Sequence, residues 1–216
     1  MENSNISRRR IVGLLGALPV IGVAGSVASK AEMLQSGART VTPRQTEGPF
    51  YPRTKPADID NNLTLVGQQV ERATGEQLEL LGRVVDRHGN HISGAKVEIW
   101  HCDHLGVYHH VGLDDTQDEH FQGYGETRCD GEGKYRFLTV QPGLYPGRTR
   151  HIHFKVFAEG HRTLTSQLYF EQDMQANLRD GIYRRLSSAE KKAVTMQANL
   201  VSGGEGRSGF FEIVVA

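Results

Sequence analysis

From residue 78 onward the chain is built of short apolar runs set apart by clusters of Gly, Pro, Asn and Asp. The runs are LELLGRVVD (78–86), AKVEIWH (95–101), GKYRFLTV (133–140), RHIHFKVFAEG (150–160), TLTSQLYF (163–170) and GFFEIVVA (209–216). Several alternate with period two; in AKVEIWH, Val97 and Ile99 alternate with Glu98 and Trp100, the mark of a β-strand. Short strands punctuated by turn chemistry predict an all-β domain, a β-sandwich or barrel, over residues 78–216. One helix is predicted late in the chain, where Ser187 and Glu190 have capping-box spacing ahead of KKAVTMQANLV. Residues 32–77, polar and rich in Pro and Asn around the block QTEGPFYP, predict an arm wrapping that domain.

The N-terminus has a different texture. Arg8, Arg9 and Arg10 precede an apolar run from Ile11 to about Ala28, and small residues stand at Ser26, Ala28 and Ala31. This pattern predicts a twin-arginine-like export signal over residues 1–31, which sends folded proteins to the periplasm or the exterior. The competing expectation is an uncleaved membrane anchor, weakened by Pro19 and four glycines. Over all 216 residues the formal charge is zero, and removal of 1–31 leaves it near minus three. No basic stripe marks a nucleic-acid binder. Two cysteines, Cys102 and Cys129, would be exposed to an oxidising compartment, and their spacing alone does not pair them.

The chemistry concentrates in GLYPGRTRHIHFKV (143–156). On a strand, His151 and His153 project from one face while Ile152 and Phe154 project from the other. Two imidazoles on one face are half of a metal site. Pro146 and Gly147 impose a turn that can fold the Tyr145 phenol back over the histidines. A phenol ligand must lose its proton, and the resulting hard oxygen donor suits ferric iron better than zinc.

At this point several separated motifs carry a resemblance. GRVVDRHGNHISGAKVEIWHCDHLGVYHH, DGEGKYRFLTVQPGLYPGRTRHIHFKV and LTSQLYFE resemble, in order, the catalytic domain of intradiol ring-cleavage dioxygenases, from about Gln45 to Glu171. The resemblance implies a prealbumin-like β-sandwich and a mononuclear Fe(III) bound by Tyr108, Tyr145, His151 and His153, with Tyr145 and His153 axial. It implies cleavage of a small aromatic diol by O2 between the hydroxyl-bearing carbons, to a cis,cis-muconate type diacid, with a protocatechuate-like substrate favoured. Arg148 would stabilise negative charge developing on the ring, with Arg150 as its competitor. Gln167 would lie near iron and substrate, and Tyr145 would act as an internal base. Thr46, Gly48 and Pro49 in the QTEGPF block resemble pocket-lining residues of the family.

The chain departs from that family in lacking a tryptophan after the Tyr-Pro pair and an N-terminal helical dimerisation region, which leaves any homo-oligomer to another surface. His101, His104, His109 and His110 crowd Tyr108 without being assigned as ligands. Two other classes compete: a non-catalytic transthyretin-like or carbohydrate-binding β-sandwich, and a cupin-like metalloenzyme. The cupin pattern wants a glycine six residues before the first histidine, where Tyr145 stands.

Overall fold

The computed structural model describes residues 38–109, 116–202, 204 and 206–216. The export signal read at 1–31 and His110 lie outside the described residues. The described residues fall within a single unit that begins at Gly37.

The strands are β1 (Gln77–Asp86), β2 (Lys96–Trp100), β3 (Tyr124–Arg128), β4 (Lys134–Val140), β5 (His151–Phe157), β6 (Leu164–Phe170), β7 (Thr195–Met196), β8 (Ala198–Leu200) and β9 (Arg207–Val215). They form two sheets, in the orders β4-β1-β9-β8 and β3-β2-β5-β6-β7. Neighbours run antiparallel except for the β1–β9 and β6–β7 pairs. No barrel closes: the architecture is a β-sandwich. The two runs flanking RHGNHISG do not pair with each other, because β1 and β2 belong to different sheets.

Period two explains the division of faces. Leu78, Leu80, Val84, Phe137 and Ile213 of the first sheet join Val97, Ile99, Ile152, Phe154 and Leu168 of the second in one continuous core. Gly82 interrupts β1 for a steric reason. A Cβ there would lie 2.2 Å from Tyr135 Cζ, so the missing side chain is the space the tyrosine ring fills. The Tyr135 hydroxyl then donates to the Phe211 carbonyl (2.8 Å).

The outer face of the second sheet is also covered, which alternation alone does not predict. Glu98 and Trp100 are 1% and 0% exposed beneath residues of the arm. Burial opposes ionisation of Glu98, but donation from Lys96 Nζ (2.7 Å), Lys55 Nζ (2.9 Å) and Tyr51 Oη (2.8 Å) outweighs it and holds the carboxyl below its ordinary range. The arm is further stitched at Gln45 N, which donates to Thr165 O (2.9 Å), and at Leu63 N, which donates to Leu138 O (2.8 Å).

Two helices follow β6, α1 (Met174–Asn177) and α2 (Ser188–Val194). The capping box of Ser187 and Glu190 is present at the start of α2. The helix is shorter than its sequence pattern: it stops at Val194, and TMQANL forms β7 and β8 instead. The cause is tertiary. Met196 is buried and packs on Gly209 of β9, where a Cβ would approach its sulfur to 2.7 Å.

Glu98 supplies a stability prediction. Glu98→Ala should cost about 1–3 kcal/mol, the usual cost of removing charge-assisted hydrogen bonds. Because the folded carboxyl titrates below its unfolded value, its contribution is complete above the unfolded pKa and is lost as pH falls through the folded one. Urea midpoints of the native and substituted proteins should therefore converge as pH is lowered below the carboxylate range.

Candidate metal centre

The strand register assembles the centre. In β5, His151 and His153 face away from the core, opposite Tyr169 and Gln167 of β6, and His153 also pairs with Trp100 of β2. The Trp100 indole stacks on the His153 ring at 5.0 Å and 13°. His151 Nδ1 lies 2.7 Å from the Thr149 carbonyl, which can only accept, so that nitrogen carries the proton and Nε2 is left as a lone pair. The two Nε2 atoms meet at 3.2 Å. Burial, reinforced by the neighbouring Arg148 guanidinium, pushes His151 down to about 4. Burial and His151 hold His153 well below the usual histidine range. Both imidazoles are neutral at physiological pH, as metal ligands must be.

Tyr145 enters from the turn that Pro146 and Gly147 were expected to make. Arg148 N donates to Tyr145 O (3.3 Å), and Gly147 has φ +82°. The Tyr145 hydroxyl lies 3.5 Å from His151 Nε2. Tyr108 arrives from the loop after β2, which is built around Asp103. That buried carboxylate accepts from Leu105 N, Val107 N and Asp118 N, each at 2.9 Å. The Tyr108 and Tyr145 rings meet at 5.6 Å. The Tyr108 hydroxyl is buried and makes no close hydrogen bond among the described residues, with the Tyr145 hydroxyl as its polar neighbour. Burial raises both phenols above their ordinary range, Tyr108 the more strongly.

These observations test whether the residues fit a ferric ion. Two neutral imidazoles converge with two phenols, and phenols this hard to ionise need a multivalent cation to lose their protons. Two phenolate oxygens with two imidazole nitrogens make a hard donor set that matches ferric iron better than the Cys and His set of a structural zinc site. The residues fit iron.

The structure separates the two arginines. Arg148 Nη2 donates to Gln167 Oε1 (2.6 Å), and its Nη1 stands 3.4 Å from both Tyr145 Oη and His151 Nε2. Arg150 turns away and pairs with both oxygens of Asp173 at 3.0 Å. Gln167 Nε2 donates to Thr46 O (3.1 Å), and Gly48 N donates to the Thr46 hydroxyl (3.2 Å). Gly48 sits with φ +73° against the His153 ring, where a Cβ would be 3.4 Å from Cε1. Pro49 is exposed beside them. Thr46 and Gly48 thus come to the centre, and Pro49 flanks it.

Phe50, which the sequence did not single out, closes the wall by stacking on Tyr108 at 4.1 Å and meeting Tyr145 edge-on at 6.0 Å. Its only signal was its place in QTEGPF. The crowding histidines have other partners. His101 is buried between Cys102 O and Thr139 Oγ1 (2.7 Å each), His104 faces Thr74, and His109 lies 3.3 Å from Asp103. Cys102 and Cys129 are both buried free thiols, and burial pushes them up to about 12 and about 11.

A family model described as Dioxygenase matches residues 46–215. The chain is 36% identical over 141 residues to the protocatechuate 3,4-dioxygenase beta chain of Burkholderia cepacia, spanning 60% of each protein. It is 31% identical over 192 residues to catechol 1,2-dioxygenase 2 of Acinetobacter lwoffii, spanning 78% of this chain and 67% of that one. The chain belongs to the intradiol ring-cleavage dioxygenase family. Solved members of similar fold include the dioxygenase domain of a dioxygenase and carbohydrate-binding protein fusion from Streptomyces sp. SirexAA-E. That match has a TM-score of 0.64 at 31% identity and covers 81% of this chain and 97% of the other. Catechol 1,2-dioxygenase from Acinetobacter sp. ADP1 matches with a TM-score of 0.65 at 26% identity, covering 88% of this chain and 67% of the other. The chain spans about half to two thirds of the length of the curated intradiol dioxygenases it matches.

A buried hydroxyl with only a weak contact gains little until a metal takes it up. In iron-free protein, Tyr108→Phe should change stability by no more than about 1 kcal/mol, since only its contact with Tyr145 is lost. The same change should abolish retention of iron, so urea unfolding with chelator should barely move while the iron content of protein loaded without it falls to nothing.

Proposed function

We propose that the protein is an Fe(III)-dependent intradiol dioxygenase that opens a catechol-type ring between its two hydroxyl-bearing carbons with O2, giving a cis,cis-muconate type diacid. The observation that carries this reading is the convergence of two neutral imidazoles with two phenols, one buried and one half-buried. Tyr108, Tyr145, His151 and His153 would hold the ion. Bound ferric iron supplies the Lewis acidity that favours the diol as its dianion and draws electron density from the ring.

The chain's own residues divide the remaining work. Tyr145 is half-buried whereas Tyr108 is 7% exposed, so Tyr145 is the phenol a substrate can reach, and its Oη takes up a proton from the incoming diol. Arg148 Nη1 faces that same oxygen and stabilises negative charge that develops beside it. Gln167 fixes the other end of the guanidinium and ties it to the arm through Thr46. Gly48 and Phe50 pack against ligand side chains and exclude water from them. The substrate is a small aromatic diol, and export through the twin-arginine-like segment suits a protein that leaves the cytoplasm folded with its metal.

Protein reconstituted with ferric iron should be burgundy to red-brown from phenolate-to-iron charge transfer, and should consume one O2 per catechol with product cleaved between the hydroxyls. A colourless protein that takes up no iron would sink this reading. His151→Ala should lose the colour. Arg148→Ala should keep it while kcat falls about 10²–10³-fold, the scale of losing one preorganised donor.

A further inference from the structure

The guanidinium of Arg148 touches the centre but is held from behind. Its Nε donates to Asp180 Oδ2 (2.7 Å), and the Asp180 side chain has no solvent exposure. That carboxylate is itself fixed. Its Oδ1 accepts from Ile182 N (2.9 Å) and Tyr183 N (3.0 Å), and Oδ2 also accepts from Thr149 N (3.3 Å). Beside it, Thr149 Oγ1 donates to Asn177 Oδ1 (2.7 Å), and Asn177 Nδ2 donates to Phe170 O (2.8 Å). The segment after β6 therefore grips the Arg148 turn through a carboxylate that cannot rotate.

Three cations of the strand and turn that carry the histidines are each paired with a carboxylate. Arg148 is answered by Asp180, Arg150 by Asp173 and Lys155 by Glu47. The segments 45–50 and 102–109, which bring the arm and Tyr108, contain no Lys or Arg. No cation on these segments is left to pair with a charged substituent on the ring, which would enter a site already closed by Phe50 and the two tyrosines.

We propose that Asp180 is a positioning and specificity-determining residue acting through Arg148: it aims Nη1 at the reacting oxygens and offsets the guanidinium charge toward the rest of the ring, so that the site selects an uncharged catechol over one bearing a ring carboxylate. This rests on the activity proposed above and departs from the protocatechuate-like preference implied by the sequence resemblance. A unit charge uncovered a few ångströms from the ring shifts preference for a carboxylated substrate by about tenfold or more at the effective dielectric of such sites.

The test compares kcat/KM for 3,4-dihydroxybenzoate with that for catechol in the iron-loaded protein. Asp180→Asn keeps an oxygen for the backbone donors and removes the charge. The ratio should rise about tenfold while kcat for catechol falls, with the iron absorption band retained. Arg148→Gln bares the carboxylate, so the ratio should fall about tenfold, and the double variant should return to within about threefold of the starting value. Binding of 4-hydroxybenzoate against phenol, read as perturbation of the phenolate-to-iron band, should shift in the same directions without turnover. A ratio that fails to rise in Asp180→Asn, or fails to fall in Arg148→Gln, overturns the proposal. If Asp180→Asn does not fold, the Arg148→Gln arm alone decides. Absence of ring cleavage by the unaltered protein would defeat the activity reading instead, and the binding comparison would still read the charge.

Discussion

The approach of His151 Nε2 and His153 Nε2 to 3.2 Å on one buried sheet face is the constraint around which the rest is arranged. His153 Nδ1 has no partner among the described residues, so the two rings meet through their Nε2 atoms, and neither can escape by ionising, because burial and Arg148 penalise the charged form. The fold keeps them there by register: β2 and β6 flank β5 so that Trp100 and Gln167 stand directly beside His153, and Tyr169 beside His151. The sandwich core below, with Ile152 and Phe154 packed between the sheets, fixes the strand that carries both rings.

The arm completes what the sheet leaves open. A sheet face that bears two histidines, a tryptophan and Glu98 would otherwise be a wet surface on which lone pairs are worth little. Covered by Gly48, Phe50 and Tyr51, it becomes an interior. The anchors of the arm lie on both sides of the centre, at Ser166 and Gln167 through Gln45 and at Glu98 through Tyr51 and Lys55. Pocket wall and metal ligands are thus held by one set of contacts, so a change in the cover is felt by the ligands.

Much of this was legible in the sequence because it is local. Each of the six apolar runs is a strand, and period two alone assigned His151 and His153 to one face and Ile152 and Phe154 to the other. The Pro146-Gly147 turn and the Ser187 capping box were equally readable, since each depends on residues within a few positions. What was missed depends on distant partners. Strand β3, YGETR, is short and half polar and exists because Lys96–Trp100 supplies a ladder. The end of α2 is set by Met196 seating on Gly209. Phe50 and Asp180 lie 58 residues before Tyr108 and 32 after Arg148, separations at which no spacing rule operates.

The position of β9 has a consequence for how the molecule comes into being. The last long strand pairs with the central β1 along its whole length, and Thr42 at the root of the arm is bonded to Val214 in both directions, through its own N–H (3.0 Å) and its hydroxyl (2.9 Å). The opening and closing stretches of the described chain are therefore laced together. A polypeptide without residues 207–215 has neither a complete first sheet nor the Thr42 anchor of the arm. The ligands all precede β9 in the chain, yet the sandwich beneath the strand that carries the histidines closes only once β9 has been made, so the centre gains its full support late in folding.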